Sequence, residues 1–276
     1  LLTKIISKIY WNNGVSKTLF YSKGELCVMK KSTKRYIAAS AAFILAFGIA
    51  PSANAMHIME GYLPAGFCVA WGVVCLPFLL AGFRSIQNTL KSDRKALPLL
   101  AMAGAFVFVI SSLKIPSVTG SCSHMTGTGL GALLFGPSAV SILGIIVLLF
   151  QAILLAHGGL TTLGANTFSM AVAGPFVSFG IYKLCQKTKL NKNVSVFLAA
   201  ALGDLFTYCV TAFQLAIAHH ADTTIGAASL KFLAVFAPTQ IPLAVIEGIL
   251  TVLIISALES YAKPELRAIG FLKEDK

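Results

Sequence analysis

Long apolar blocks separated by short polar stretches dominate this chain after residue 56. Five blocks are clear, at about 66–83, 97–113, 138–157, 160–183 and 194–218, and a sixth runs through about 236–258. Apolar stretches of this length and purity predict membrane-spanning helices. The polar stretches divide by charge. Residues 84–95 carry Arg84, Lys91, Arg94 and Lys95; residues 183–192 carry Lys183, Lys187, Lys189 and Lys192; the tail carries Lys263, Arg267, Lys273 and Lys276. The remaining connections hold Lys114 or Lys231 at most. Basic connections stay on the cytoplasmic side, which assigns these three there.

Parity then exposes a hidden element. Between the two basic loops the chain crosses an even number of times, yet only three long blocks lie between them. The missing crossing is predicted in Val118–Pro137, VTGSCSHMTGTGLGALLFGP, a short glycine-rich segment containing a histidine. Non-helical backbone at membrane depth is tolerated where protein covers it, and such segments build binding sites near helix ends. The expected fold is an all-α polytopic membrane protein. Parity brings the count to about seven transmembrane helices, multi-pass, with the N-terminus outside and the C-terminus cytoplasmic.

Ahead of the first span lie Lys30-Lys31, Lys34-Arg35, an apolar run from Ile37 to Ala50 and Ala53-Asn54-Ala55. These are the three parts of a secretory signal peptide. Residues 29–55 are therefore expected to be removed, leaving Met56 as the mature N-terminus outside the cell. Met29 reads as the translation start, and residues 1–28 as a non-structural or untranslated extension. Residues 56–260 form the membrane domain, and 261–276 a cytoplasmic tail.

Composition agrees. The chain is 57% hydrophobic and 12% charged. Its formal charge of +12 is concentrated ahead of residue 56 and in short loops, so it reflects topology and not a nucleic-acid surface. Six cysteines show no disulfide framework: Cys27 precedes the mature chain, and Cys68, Cys75 and Cys209 lie within apolar spans.

Cleavage after Ala55 creates a chelator. The Met56 α-amine and the His57 backbone nitrogen close a five-membered ring on a metal ion, and the same nitrogen with His57 Nδ1 closes a six-membered ring. Three nitrogens then lie near one plane, and a fourth ligand completes a square. That geometry suits late first-row divalent metals. An unperturbed α-amine has a pKa of about 7.7–8.0, so a metal displaces its proton near neutrality. His124 is the candidate fourth ligand. Its span parity puts it on the same side as Met56, and the glycines at 127 and 129 allow close backbone approach. Cys122 and Met125 beside it read as small packing residues.

Five further residues are assigned supporting places. Glu60 either offsets metal charge or orients His57. Ser123 and Thr126 flank His124. His157 opens HGGLTTLGAN, whose polar run through Asn166 either supports the N-terminal segment or makes helix–helix hydrogen bonds. His219, His220 and Asp222 read as a solvated loop. Asp204 and Glu247, inside apolar spans where charge is costly, either pair with polar groups of neighbouring spans or face a subunit interface. The chain has no HExxH, CxxC, P-loop or nucleophile elbow, so any energised transport uses other subunits.

Four stretches carry a family resemblance: MHIMEGYLPAGFCVAWGVVCLPFLLAGFRSI (56–86), KIPSVTGSCSHMTGTGLGALLFGPSAV (114–140), LLFQAILLAHGGLTTLGANTFSMAVAGPF (148–176) and FLAAALGDLFTYCVTAFQLAIA (197–218). They closely resemble the cobalt-transport CbiM family, which has a nickel-specific sister. The resemblance covers nearly all of residues 56–258. It implies a substrate-binding S component of an energy-coupling factor importer: a compact bundle of about seven transmembrane helices in the cytoplasmic membrane of a bacterium, with the N-terminal segment tucked into the bundle from outside. It implies Co2+ as transported substrate, feeding cobalamin synthesis, and no cofactor. The implied ligands are the Met56 amine, the His57 backbone and imidazole nitrogens, and the His124 imidazole. The implied partners are a small membrane accessory subunit, a transmembrane coupling subunit and two cytoplasmic ATPases. The planar nitrogen set alone favours Ni2+ or Cu2+, so cobalt rests on the resemblance and Ni2+ is the alternative. A more distant alternative, an intramembrane metalloenzyme, requires an open water position that a planar four-nitrogen site does not offer.

Overall fold

The computed structural model describes residues 57–92, 94, 96–116, 122–220 and 223–272, and these form a helical membrane bundle. Residues 1–56, with the expected signal peptide and Met56, lie outside the described residues. In chain order the elements are α1 (Ala65–Ser92), α2 (Ala96–Ser112), a two-residue-a-side ribbon of β1 (Ile115–Pro116) and β2 (Cys122–Ser123), α3 (Thr128–Phe135) and α4 (Pro137–Leu155). Then follow α5 (Leu163–Asn166), a π-helical stretch Thr167–Ala173, α6 (Gly174–Lys187), α7 (Lys192–Ala218), α8 (Ile225–Tyr261) and a short α9 (Lys263–Ala268). Among the described residues, five helical stretches are long and apolar enough to cross a membrane, α5 through α6 counting as one, and α2 is a shorter apolar helix.

Each span begins and ends where backbone chemistry directs. Pro137 opens α4 at its first turn, where its missing N–H costs nothing. The Asn191 side chain accepts from Asn193 N–H to start α7, and Thr224 accepts from Ala227 N–H to start α8. Helix α1 exposes Val69, Val73, Leu76, Leu80 and Phe83, an alternating four-and-three spacing that forms one apolar stripe facing outward. Lys192 pairs with Glu259, tying the start of α7 to the end of α8.

The observed spans extend beyond their apolar blocks. Helix α1 continues through the basic stretch to Ser92, so Arg84 and Lys91 are helical and not in a loop. Helix α8 begins at Ile225, eleven residues before the block at 236. Its 37 residues measure about 55 Å, longer than the roughly 30 Å apolar core of a bilayer.

The expected crossing within 118–137 has a mixed structure. Residues 124–127 are non-helical, and α3 follows for eight residues, or about 12 Å. With the extended stretch from Cys122 to Gly127 adding at most about 20 Å, the two parts suffice for one membrane crossing. Every residue from 123 to 134 is buried, so other helices cover the irregular backbone, as hydrocarbon requires. Gly127 makes the turn into α3 at φ +68°, and a Cβ there would stand 3.2 Å from Val107 Cα.

Candidate metal centre

The N-terminal segment from His57 to Pro64 folds back among the helices. Its apolar anchors, Ile58 and Leu63, join a buried cluster with Ala165 of α5, Tyr208, Ala212 and Leu215 of α7 and Phe236 of α8. Burial of two such side chains stabilises the docked segment by about 1.5–3 kcal/mol each. Its polar anchor is Asn166. The side-chain Oδ1 accepts from Ile58 N–H at 2.8 Å, and Nδ2 donates to Ile58 O at 3.0 Å. The Thr162 hydroxyl donates to the same carbonyl at 2.6 Å. One amide side chain thus pairs with both backbone groups of Ile58, as a neighbouring strand would. Gly159 completes the contact: a Cβ there would stand 2.6 Å from Glu60 Cα.

This docking brings three imidazoles together. His57, on the segment, His124, before α3, and His157, after α4, are 2%, 0% and 1% exposed. Ring centroids are 4.5 Å apart for His57–His124, 4.5 Å for His57–His157 and 5.0 Å for His124–His157. One nitrogen from each lies within 4.8 Å of the others, the spacing of ligands around a single ion. His124 Nε2 and both nitrogens of His157 are buried without a hydrogen-bond partner. Buried polar atoms are normally paired, and a neutral imidazole keeps one lone pair, so His124 and His157 each offer one unengaged lone-pair nitrogen within 4.8 Å of the others in the trio.

The surroundings fix which nitrogens are free. His124 Nδ1 lies 2.8 Å from Met125 O; a carbonyl only accepts, so Nδ1 carries the proton and Nε2 keeps its lone pair. A longer relay orients His57. Ser111 donates to the Val107 carbonyl, Gln151 Nε2 donates to Ser111 Oγ at 2.7 Å, and Gln151 Oε1 therefore faces His57 Nε2 at 3.3 Å. That oxygen accepts from Nε2–H, which leaves the lone pair on Nδ1, the atom a six-membered chelate with the His57 backbone nitrogen requires. Burial, then the neighbouring imidazoles, holds His57 well below the ordinary histidine pKa, and burial pushes His157 to about 2. Both are neutral at physiological pH and compete for a metal without losing a proton.

The structure sorts the remaining expected residues. Met56 lies outside the described residues. His157, expected in support, stands at the same mutual spacing as His57 and His124. Asn166 holds the N-terminal segment and not a neighbouring span. Glu60 is turned away from the imidazoles. It is exposed, its carboxylate accepts from Thr161 N–H at 3.2 Å, and hydrogen bonds from Thr161 lower its pKa. Ser123 contacts Thr239 at 2.7 Å. Thr126 bonds Glu247 and Asp204, which stand together below the His124 loop. Of the two readings for that acidic pair, the structure has pairing with polar groups. His219 is exposed but not merely solvated, since Nε2 donates to Tyr62 O at 3.0 Å and its ring lies 4.7 Å from the Tyr62 ring. Gln151, Ser111, Tyr208 and Gln240 were not anticipated. The available signal was a lone amide or hydroxyl inside an apolar span, where a polar group needs a partner.

A polytopic helical membrane protein with a buried imidazole trio, closed by the segment ahead of its first span, has the fold and donor set of a metal transporter. The family described as "Cobalt uptake substrate-specific transmembrane region", CbiM, matches residues 57–266. The chain belongs to the CbiM family. A cobalt transport protein CbiM of Lachnoclostridium phytofermentans is 70% identical over 245 residues, covering 88% of this chain and 98% of the relative. One from Chlorobium limicola is 60% identical over 236 residues, covering 85% and 92%. A crystal structure described as a truncated transition metal transporter superposes with TM-score 0.65 at 32% identity, covering 74% of this chain and 99% of the other.

Proposed function

We propose that this protein is the substrate-binding subunit of an energy-coupling factor importer, capturing Co2+ from outside the cell and delivering it inward for cobalamin synthesis. The observation that carries the reading is the buried, neutral trio His57, His124 and His157, in which His124 and His157 have nitrogens without a hydrogen-bond partner. In this reading residues 29–55 are removed and Met56 supplies its α-amine. The Met56 amine, the His57 backbone nitrogen and Nδ1, and His124 Nε2 then surround the ion. The tautomers fixed by Gln151 and Met125 suit those roles. His157 adds a donor beyond the four. Asn166 and Thr162 hold Ile58 next to the chelate, so ion capture and segment docking reinforce each other.

The three basic stretches face the cytoplasm, where a coupling subunit, a small accessory subunit and two ATPases act. Nothing in the chain itself hydrolyses ATP. A second reading keeps the architecture and changes the ion to Ni2+, favoured by the planar nitrogen donors. Metal content of cells expressing the whole transporter, grown with equal Co2+ and Ni2+, separates the two. Purified His57→Ala and His124→Ala proteins are expected to lose bound cobalt while retaining their melting transition. Unchanged cobalt content in either would contradict the site.

A further inference from the structure

Two acids sit in the apolar core next to this site and outside its ligand set. Asp204 of α7 and Glu247 of α8 are each 1% exposed. Thr126 N–H donates to both, at 2.6 Å to Glu247 Oε2 and 3.2 Å to Asp204 Oδ1. The Thr126 hydroxyl donates to Glu247 Oε1 at 3.0 Å. One N–H thus holds both carboxyls, which stand side by side. Gln240 Nε2 donates to Asp204 Oδ2 at 2.5 Å and to His124 O at 3.3 Å. Tyr208 OH donates to that same carbonyl at 2.6 Å. Neither acid pairs with a lysine or arginine among the described residues. Two carboxylates sharing one N–H donor in a dry core, without a cation to balance them, cannot both be ionised. Two fully protonated acids would waste the charge-assisted bonds of Thr126 at the start of α3.

We propose that Asp204 and Glu247 share one proton and that their single remaining charge is the counter-charge of the loaded metal site, delivered through the Thr126 loop that also aims His124. The inference rests on the metal reading above. A divalent ion that displaces the proton of the His57 backbone nitrogen leaves a singly positive complex inside an apolar bundle. Charge in such a medium is costly without a partner. Thr126 is two residues from His124, and two residues reach at most about 7 Å. A unit charge about 10 Å from the complex, at an effective dielectric constant of about 20, changes affinity roughly fifteenfold. Asp204 and Glu247 are thus positioning and charge-balancing residues, not ligands.

Amide substitution separates charge from hydrogen bonding, because Asn and Gln keep the oxygen that accepts from Thr126. Cobalt affinity of the purified parent, Asp204→Asn, Glu247→Gln and the double variant is compared, with infrared spectra at neutral pH. The parent is expected to show the C=O stretch of a protonated carboxylic acid, and each single variant to lose it as the remaining acid ionises. The single variants, each keeping one charge, should bind cobalt within about threefold of the parent, and the double variant should weaken by about tenfold or more. A double variant that binds as the parent does overturns the counter-charge. A parent without the carboxylic band overturns proton sharing, and it decides the matter even if the double variant fails to fold. A parent that binds no cobalt contradicts the metal reading itself, a result distinct from both.

Discussion

Replacing Asn166 by leucine keeps the branched shape of the side chain but removes both polar groups of the clamp on the docked segment. The amide satisfies Ile58 N–H at 2.8 Å and shares Ile58 O with the Thr162 hydroxyl. In Asn166→Leu the carbonyl keeps Thr162, but the N–H is buried with no acceptor. An orphaned buried donor costs about 1–3 kcal/mol, and the lost bond to the carbonyl about 0.5–1.5 kcal/mol more. The sum, roughly 2–4 kcal/mol, falls on docking of the segment that carries His57. The helices make their own contacts without it, so melting of the metal-free protein should change little. Since about 1.4 kcal/mol is tenfold in affinity, cobalt binding should weaken by roughly 30- to 700-fold. Isothermal titration of purified protein, with melting curves taken without metal, measures both. Affinity within about threefold of the parent would refute the idea that segment docking and ion capture are one event.

Gly159→Ala places a methyl 2.6 Å from Glu60 Cα, so the segment must shift, and cobalt affinity measured by the same titration should fall by about tenfold or more. His219→Ala removes one exposed bond to Tyr62 O and a ring contact; the loss should stay below about tenfold, since a single such bond contributes about 0.5–1.5 kcal/mol. The pH dependence of metal-free melting follows from His157, which lies between two helices and whose folded pKa, about 2, is below the ordinary 6.5. The unfolded chain then binds more protons below that value, so metal-free stability is fully present above pH 6.5 and is lost as pH falls beneath it. Melting temperature followed from pH 7 downward should decline below about 6.5, and His157→Gln should decline less.

The spans were legible because lipid imposes a length and an apolar composition that no other environment demands. The buried irregular segment ahead of α3 was legible only by parity, since six residues of non-helical backbone and an eight-residue helix leave no long apolar block. Within the spans legibility fails. Gln151 sits in Leu148–Leu155, and nothing in that run says which face it occupies or that it reaches His57 94 residues away. His157 looked subordinate because sequence order places it beside a turn; its rank comes from the fold, where α4 and the docked segment set it beside His57. The pairing of Asp204 with Glu247 depends on how α7 lies against α8, which single buried acids do not encode. The π-helical stretch Thr167–Ala173 gave no signal in an apolar run, and π-helical turns are frequent at functional sites.

The most direct test is X-ray absorption at the cobalt edge on purified protein whose N-terminus has been established by intact mass. The expected spectrum has a nitrogen-dominated first shell with imidazole scattering, on protein beginning at Met56, and the signal disappears in His57→Ala. A first shell containing sulfur or carboxylate oxygen, or an unchanged spectrum in His57→Ala, would contradict capture of the ion by the N-terminal chelate and the buried imidazoles.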